Sequence, residues 1–183
     1  MRTSKVTHGL ATGVLVGVMV ILFSTQGVSQ AQENPEVTRL LADARDKAAQ
    51  LSKDADEMES LTRTDADWET HADALNRMKE DVNSLARDTE KLAAARNSAS
   101  PWQKQAIDRM LPLMKDLASN TTAAINHLSQ NKTRPTTPEY TEYLKENDET
   151  AHQLADTISN FVQYGHARAK MEKLEQKLEI ASR

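Results

Sequence analysis

After Gly27 this chain uses glycine once, at Gly165, across 156 residues. Glycine serves tight turns and left-handed backbone positions, so so long a stretch almost without it excludes turn-rich β architecture. The other four glycines (Gly9, Gly13, Gly17, Gly27) crowd the start of the chain. The asymmetry divides the chain into a small-residue leader and a helical body.

The leader has the order of a secretory signal. Arg2 and Lys5 precede Leu10–Phe23, which carries no charge, and Ser29-Gln30-Ala31 supplies a small-x-small cleavage site. Residues 1–31 are therefore expected to be a signal peptide, with the mature chain beginning at Gln32. Retained instead, the run from Gly9 to Val28 has just about the 20 residues that a membrane anchor needs. In both cases basic residues before the run and acids after it (Glu33, Glu36) place the body outside the cytoplasm, in the periplasm or beyond. Cysteine is absent, which rules out disulfides, thiolate metal sites, a lipidated cysteine and covalent haem. Cleavage leaves 21 basic and 27 acidic side chains, a net charge of −6. An acidic chain without a basic cluster is not built to bind nucleic acid.

Residues 32–183 have the length of one domain and show four helical periodicities. The spacing predicts helices over about 35–61, 65–96, 101–130 and 138–180. The first stripe is Val37, Leu41, Ala44, Ala48, Leu51, Ala55 and Met58, entered at Pro35. The second is Trp68, His71, Leu75, Met78, Val82, Leu85, Thr89 and Leu92. It follows Thr64-Asp65-Ala66-Asp67, which resembles a capping box with aspartate in place of glutamate. The third opens on Ser100-Pro101-Trp102-Gln103, an N-cap serine, N1 proline and third-position glutamine. It continues through Ala106, Met110, Leu113, Leu117, Thr121, Ala124 and Leu128, with a bend expected at Pro112. The fourth starts after Thr137 and reads Tyr140, Leu144, Asn147, Ala151, Leu154, Ile158 and Phe161.

Short connections favour antiparallel neighbours. The expected fold is all-α, an up-down-up-down four-helix bundle with a thin core of alanine, threonine and asparagine. The fourth helix is too long for it. At 1.5 Å per residue, roughly its last 13 to 15 residues outrun the third helix and protrude. This overhang carries Met171, Leu174, Leu178 and Ala181. Strict heptads from Phe161 would reach Gly165, Arg168, Glu172, Glu175 and Glu179 instead, an apparent slip of one residue or about 100°. Gly165, near that change, is expected to mark a bend or a close helix contact.

Chemistry-bearing patterns are sparse. His71 and His127 fall at the same end on adjacent helices and are conceivable metal ligands, with Asp67 or Glu57 to complete a set; hydrogen-bonded or solvent-facing imidazoles are the preferred reading, since no second motif supports a metal. Glu149-Thr150-Ala151-His152 is one Glu-x-x-His, where a di-iron bundle needs two and two further glutamates. Met58, Met78, Met110 and Met114 are available to haem but suit packing. Trp68, Tyr140 and Tyr143 should gather beside His71, as an aromatic cap or a ligand pocket. No phosphate loop, nucleophile elbow, His-Glu-x-x-His run or EF-hand loop is present. The sequence reads as an exported, non-enzymatic interaction or structural module of the bacterial envelope with no cofactor. It would contact a protein partner or its own copies through the C-terminal helix. Two alternatives stand beside it: a metal- or haem-binding bundle, and a membrane-anchored coiled-coil adaptor with the leader retained.

Overall fold

The computed structural model describes residues 33–181; the leader and its cleavage site lie outside them. Four helices form: α1 (Pro35–Leu61), α2 (Trp68–Ala95), α3 (Pro101–Gln130) and α4 (Pro138–Ala181). A single 3₁₀ turn, Arg96–Ser98, joins α2 to α3. No strand occurs among the described residues, and no described helix is long and apolar enough to cross a membrane. Each helix packs on the next, and α1 packs on α4, closing a four-membered ring. The cross-helix contacts run in opposite senses in every neighbouring pair. Arg77–Glu57 and Lys47–Asp88 join α1 to α2; Trp68–Leu128 and Arg96–Asp108 join α2 to α3. Asn120–Glu146 and Trp102–Gly165 join α3 to α4, while Ser52–His152 and Glu33–Arg168 join α1 to α4.

Local chemistry sets the helix starts. Asn34 Oδ1 accepts from Glu36 N at 2.9 Å and Val37 N at 3.3 Å, filling donors that a helix N-terminus leaves open. Asp67, not Thr64, caps α2: its Oδ1 accepts from Thr70 N at 2.9 Å. Thr64 belongs to the turn that ends α1, its hydroxyl donating to Leu61 O at 2.9 Å, so α2 begins three residues later than its sequence pattern predicts. Thr137 Oγ1 accepts from Tyr140 N at 3.2 Å and opens α4. α3 runs unbroken through the exposed Pro112.

All seven residues of the first stripe are buried, with Leu40 and Ser52 beside them. Two later stripes need a one-residue correction. Leu113 is half-buried and Met114 takes the core position; Phe161 is half-buried and Val162 takes the core position. An apolar arc three or four residues wide contains both members of each pair, and only the neighbouring helices decide which one faces inward.

Gln103 makes the tightest tie between helices. Its side chain is fully buried, and all four of its hydrogen-bonding positions are used. Oε1 accepts from Ser100 N at 2.9 Å and from Asn34 N at 3.1 Å. Nε2 donates to Asn34 O and to Thr38 Oγ1, each at 2.9 Å. The glutamine of the expected capping box thus caps its own helix and fastens the diagonal helix α1. Asn147 is the opposite case. It is 1 % exposed, and neither of its amide atoms has a hydrogen-bond partner, nor does the hydroxyl of buried Thr121. Gln103→Leu is expected to lower the unfolding free energy by about 2–4 kcal/mol, because buried donors and acceptors lose their partners. Asn147→Leu is expected to raise it by about 1–3 kcal/mol, because an unmet desolvation cost disappears. Denaturant titration of both variants checks the pair; two changes of the same sign overturn this account.

Gly165 marks a close helix contact. A Cβ placed there would lie 2.7 Å from Trp102 Cη2 and 2.9 Å from Cζ2. The indole cannot easily yield, because its Nε1 donates to Glu33 Oε1 at 2.8 Å. Alanine in place of a mid-helix glycine ordinarily adds about 0.8–1.0 kcal/mol of helix stability. Gly165→Ala is expected to do the reverse here and lower the melting temperature; an increase would show that the ring moves aside freely.

Candidate functional site

Three places gather chemistry. The first is the end of the bundle where α2 and α4 begin. His71 is fully buried, with Nδ1 3.3 Å from the Tyr140 hydroxyl and its ring edge-on to that tyrosine at 5.5 Å. His127 stacks on Tyr140 at 6.0 Å and meets Tyr143 edge-on. Its Nε2 lies 2.7 Å from Thr137 Oγ1. The structure therefore brings His71 and His127 to one end, as their positions predict, where both rings contact Tyr140. Neither belongs to a three-ligand group among the described residues. Their expected third ligands are engaged elsewhere, Asp67 in the α2 cap and Glu57 with Arg77 at 2.7 Å. Trp68 completes the cluster. Its Nε1 donates to Leu128 O at 3.2 Å, and the Lys132 ammonium sits 4.3 Å above its ring. Burial lowers the His71 pKa against the opposing pull of Asp67, and burial holds the Tyr140 phenol well above its usual range. The pair is suited to staying neutral and packing. Met58, Met78, Met110 and Met114 are all core residues.

The second place joins α1 to α4. Among the described residues, Asp56, Asp148 and His152 are the one group of three whose ligand atoms converge, all within 4.8 Å. His152 Nε2 is 3.0 Å from Asp56 Oδ1 and 3.5 Å from Asp148 Oδ1, and Nδ1 is 2.9 Å from Ser52 Oγ. The hydrogen bond to Asp56 raises the His152 pKa, and the same bond lowers that of Asp56. Burial, then the Asp56 hydrogen bond, raises that of Asp148. These three could hold a divalent cation, yet the carboxylates favour the charged imidazole, which offsets part of their charge. The sequence pattern singles out Glu149 as the partner of His152; the structure pairs Glu149 with Lys145 at 3.7 Å and supplies Asp148 instead. The spacing of Asp148 and His152, four apart on a helix, is visible in the sequence. The arrival of Asp56 from 96 residues away is not.

The third place is the base of the overhang. Glu33, just before α1, receives the Trp102 indole and lies 3.4 Å from Arg168 Nε. Tyr164 packs edge-on to Trp102 at 5.9 Å. A groove of about 390 Å³ between α3 and α4 is lined by these aromatics, Phe161, Gln105 and Arg109. Arg109 lies 5.7 Å above the Phe161 ring. Beyond it every residue from Lys170 to Ala181 is exposed, with Met171 62 % and Leu178 71 % accessible. The protruding segment is present as its length predicts, and its apolar line runs one residue ahead of the strict heptad positions Glu172, Glu175 and Glu179. Measured from Gly165, the last buried position of α4, Met171, Leu174 and Leu178 lie about 180–240° around the helix. They point away from the core.

No family model, curated protein or solved structure matches this chain.

One electrostatic feature has a pH signature. Asp81 on α2 hydrogen-bonds Asp54 on α1, and that bond, with burial, pushes its carboxyl up to about 6 from 3.8. A carboxyl whose folded pKa is raised adds stability below its unfolded pKa and loses it as pH rises through the folded value. Above about pH 6 the wild type therefore holds two facing carboxylates. Asp81→Asn keeps a donor at that position at all pH values. It is expected to raise the melting temperature at pH 8 and to change it far less at about pH 4. Equal shifts at both pH values would show that the pair is not the cause.

Proposed function

We propose that the mature chain is an exported, non-enzymatic interaction module, with the bundle as its rigid base and the end of α4 as its contact surface. The carrying observation is the exposed segment Lys170–Ala181, which continues a helix anchored in the bundle and displays Met171, Leu174 and Leu178 on its outer side. Isolated surface leucines are ordinary, whereas a contiguous apolar line on a projecting helix marks a site of association. The side chains of the Tyr140 cluster and of the Asp56–Asp148–His152 group contact one another, which favours structural roles for them. Placement outside the cytoplasm rests on the charge order and apolar run of residues 1–31.

The magnitude favours modest affinity. Burying a large apolar side chain contributes about 1.5–3 kcal/mol, and association opposes this with about 4–15 kcal/mol of lost freedom. Three such residues per copy support dissociation constants of roughly micromolar order. Sedimentation of residues 32–183 beside residues 32–170 tests the reading, with melting curves as the folding control. The longer chain is expected to gain mass over roughly 1–100 μM, and the shorter to remain monomeric with an unchanged melting temperature. Two monomers across that range overturn it.

A further inference from the structure

The face that α4 turns outward has a strict period. Tyr164, Ala167, Met171, Leu174, Leu178 and Ala181 follow at spacings of 3, 4, 3, 4 and 3, the a/d line of a two-stranded coiled coil. Tyr164 is 48 % exposed and Leu174 50 % exposed, so the line begins beside the bundle and continues along the overhang. Its direction matters as much as its period. Because it lies roughly opposite the buried side of α4, a second α4 laid along it would carry its own bundle to the far side. The two bundles would not compete for space.

Charge selects among possible occupants. With Met171 at position a, the g positions are Lys170 and Lys177 and the e positions are Arg168 and Glu175. In a parallel pair each g residue faces the e residue of the next heptad on the other helix. Lys170 then meets Glu175 of the partner subunit, and two-fold symmetry repeats the pair. In an antiparallel pair g faces g, which sets lysine against lysine, while e faces e and sets Glu175 against an Arg168 already drawn to Glu33 of its own chain at 3.4 Å. Lys170 and Glu175 are both exposed. A foreign partner would need no such internal complementarity. Resting on the reading of the overhang as the contact surface, we infer that its occupant is a second copy of this chain. The two α4 helices pair in parallel through the Tyr164–Ala181 line, with one bundle on each side.

The chain contains no cysteine, so single-cysteine variants of the mature protein report orientation directly. Ala167→Cys and Ala181→Cys each leave the methionine and leucines of the line intact. A parallel pair places each residue opposite its own copy, within disulfide reach, so each variant alone is expected to oxidise to a linked dimer. Lys170→Glu is expected to weaken dimerisation by about fivefold, and Lys170→Glu with Glu175→Lys to restore it to within about twofold. A dimer that sediments normally but links only when the two cysteine variants are mixed is antiparallel, and this overturns the parallel pairing alone. So does a Lys170→Glu dimer of undiminished strength. Absence of any dimer in the unmodified protein removes the contact-surface reading itself.

Discussion

The hydrogen bonds of the Gln103 amide fix how the helices stand against one another along the bundle axis. Through them the first turn of α3 and the residue that caps α1 become one unit, although the two helices lie on a diagonal and share little other surface. Its neighbour Trp102 reaches the other way. It places its ring on Gly165 of α4 and its indole N–H on Glu33. Four consecutive residues, Ser100 to Gln103, thereby cap one helix, hold a second and set the depth at which a third passes. Proline at the second of these positions restricts the backbone before any tertiary contact forms. A one-residue shift of α3 would break all of these contacts at once. That makes register costly to change even though the core itself is rich in small side chains.

The opposite end is held differently. Around Tyr140 the polar groups are buried but incompletely matched. The His71 Nε2 here, and the Thr121 hydroxyl and both Asn147 amide atoms about two turns further into the bundle, lack partners. Each unmatched buried group costs free energy comparable to a lost hydrogen bond, and low polarity around it increases that cost. The bundle is thus expected to be firmest where α4 leaves it and softest where α4 begins. Local openings take the least stable route, so separation of the helices would start at the Tyr140 end. The anchoring of the overhang would survive such openings.

Much of this fold was legible in residue spacing. Helix number, the proline-led starts of α1, α3 and α4, the excess length of α4 and the significance of Gly165 all follow from period and capping chemistry. Two of the errors share one cause. Choosing Leu113 over Met114, or Phe161 over Val162, requires knowing where neighbouring helices stand, and a single helix carries no such information. The outward direction of Met171, Leu174 and Leu178 follows from the same arithmetic, about 180–240° from Gly165 at 100° per residue. Thr64 was overvalued as a cap for a different reason. A threonine that can close the turn behind it leaves the role to Asp67, whose carboxylate is the stronger acceptor for α2. The Asp56–Asp148–His152 group depended on the alignment of α1 with α4, which no local pattern encodes.

The two faces of α4 explain why the overhang is a usable surface at all. A free peptide of two and a half heptads is marginal as a helix in water, because the first turn is costly to nucleate and short segments gain too few bonds to offset it. Here nucleation is already complete. The segment from Pro138 to Gly165 is held by α1 and α3, and Lys170–Ala181 propagates from it one bond at a time. The helix therefore arrives at any partner already ordered, and association is spared most of the entropy of folding the segment. Gly165 has a part in this beyond packing. By letting the Trp102 ring close over the last inward-facing position, it ends the buried face of α4 at a defined residue while the helix itself continues. The outward face can then begin at Tyr164 without any break in the backbone.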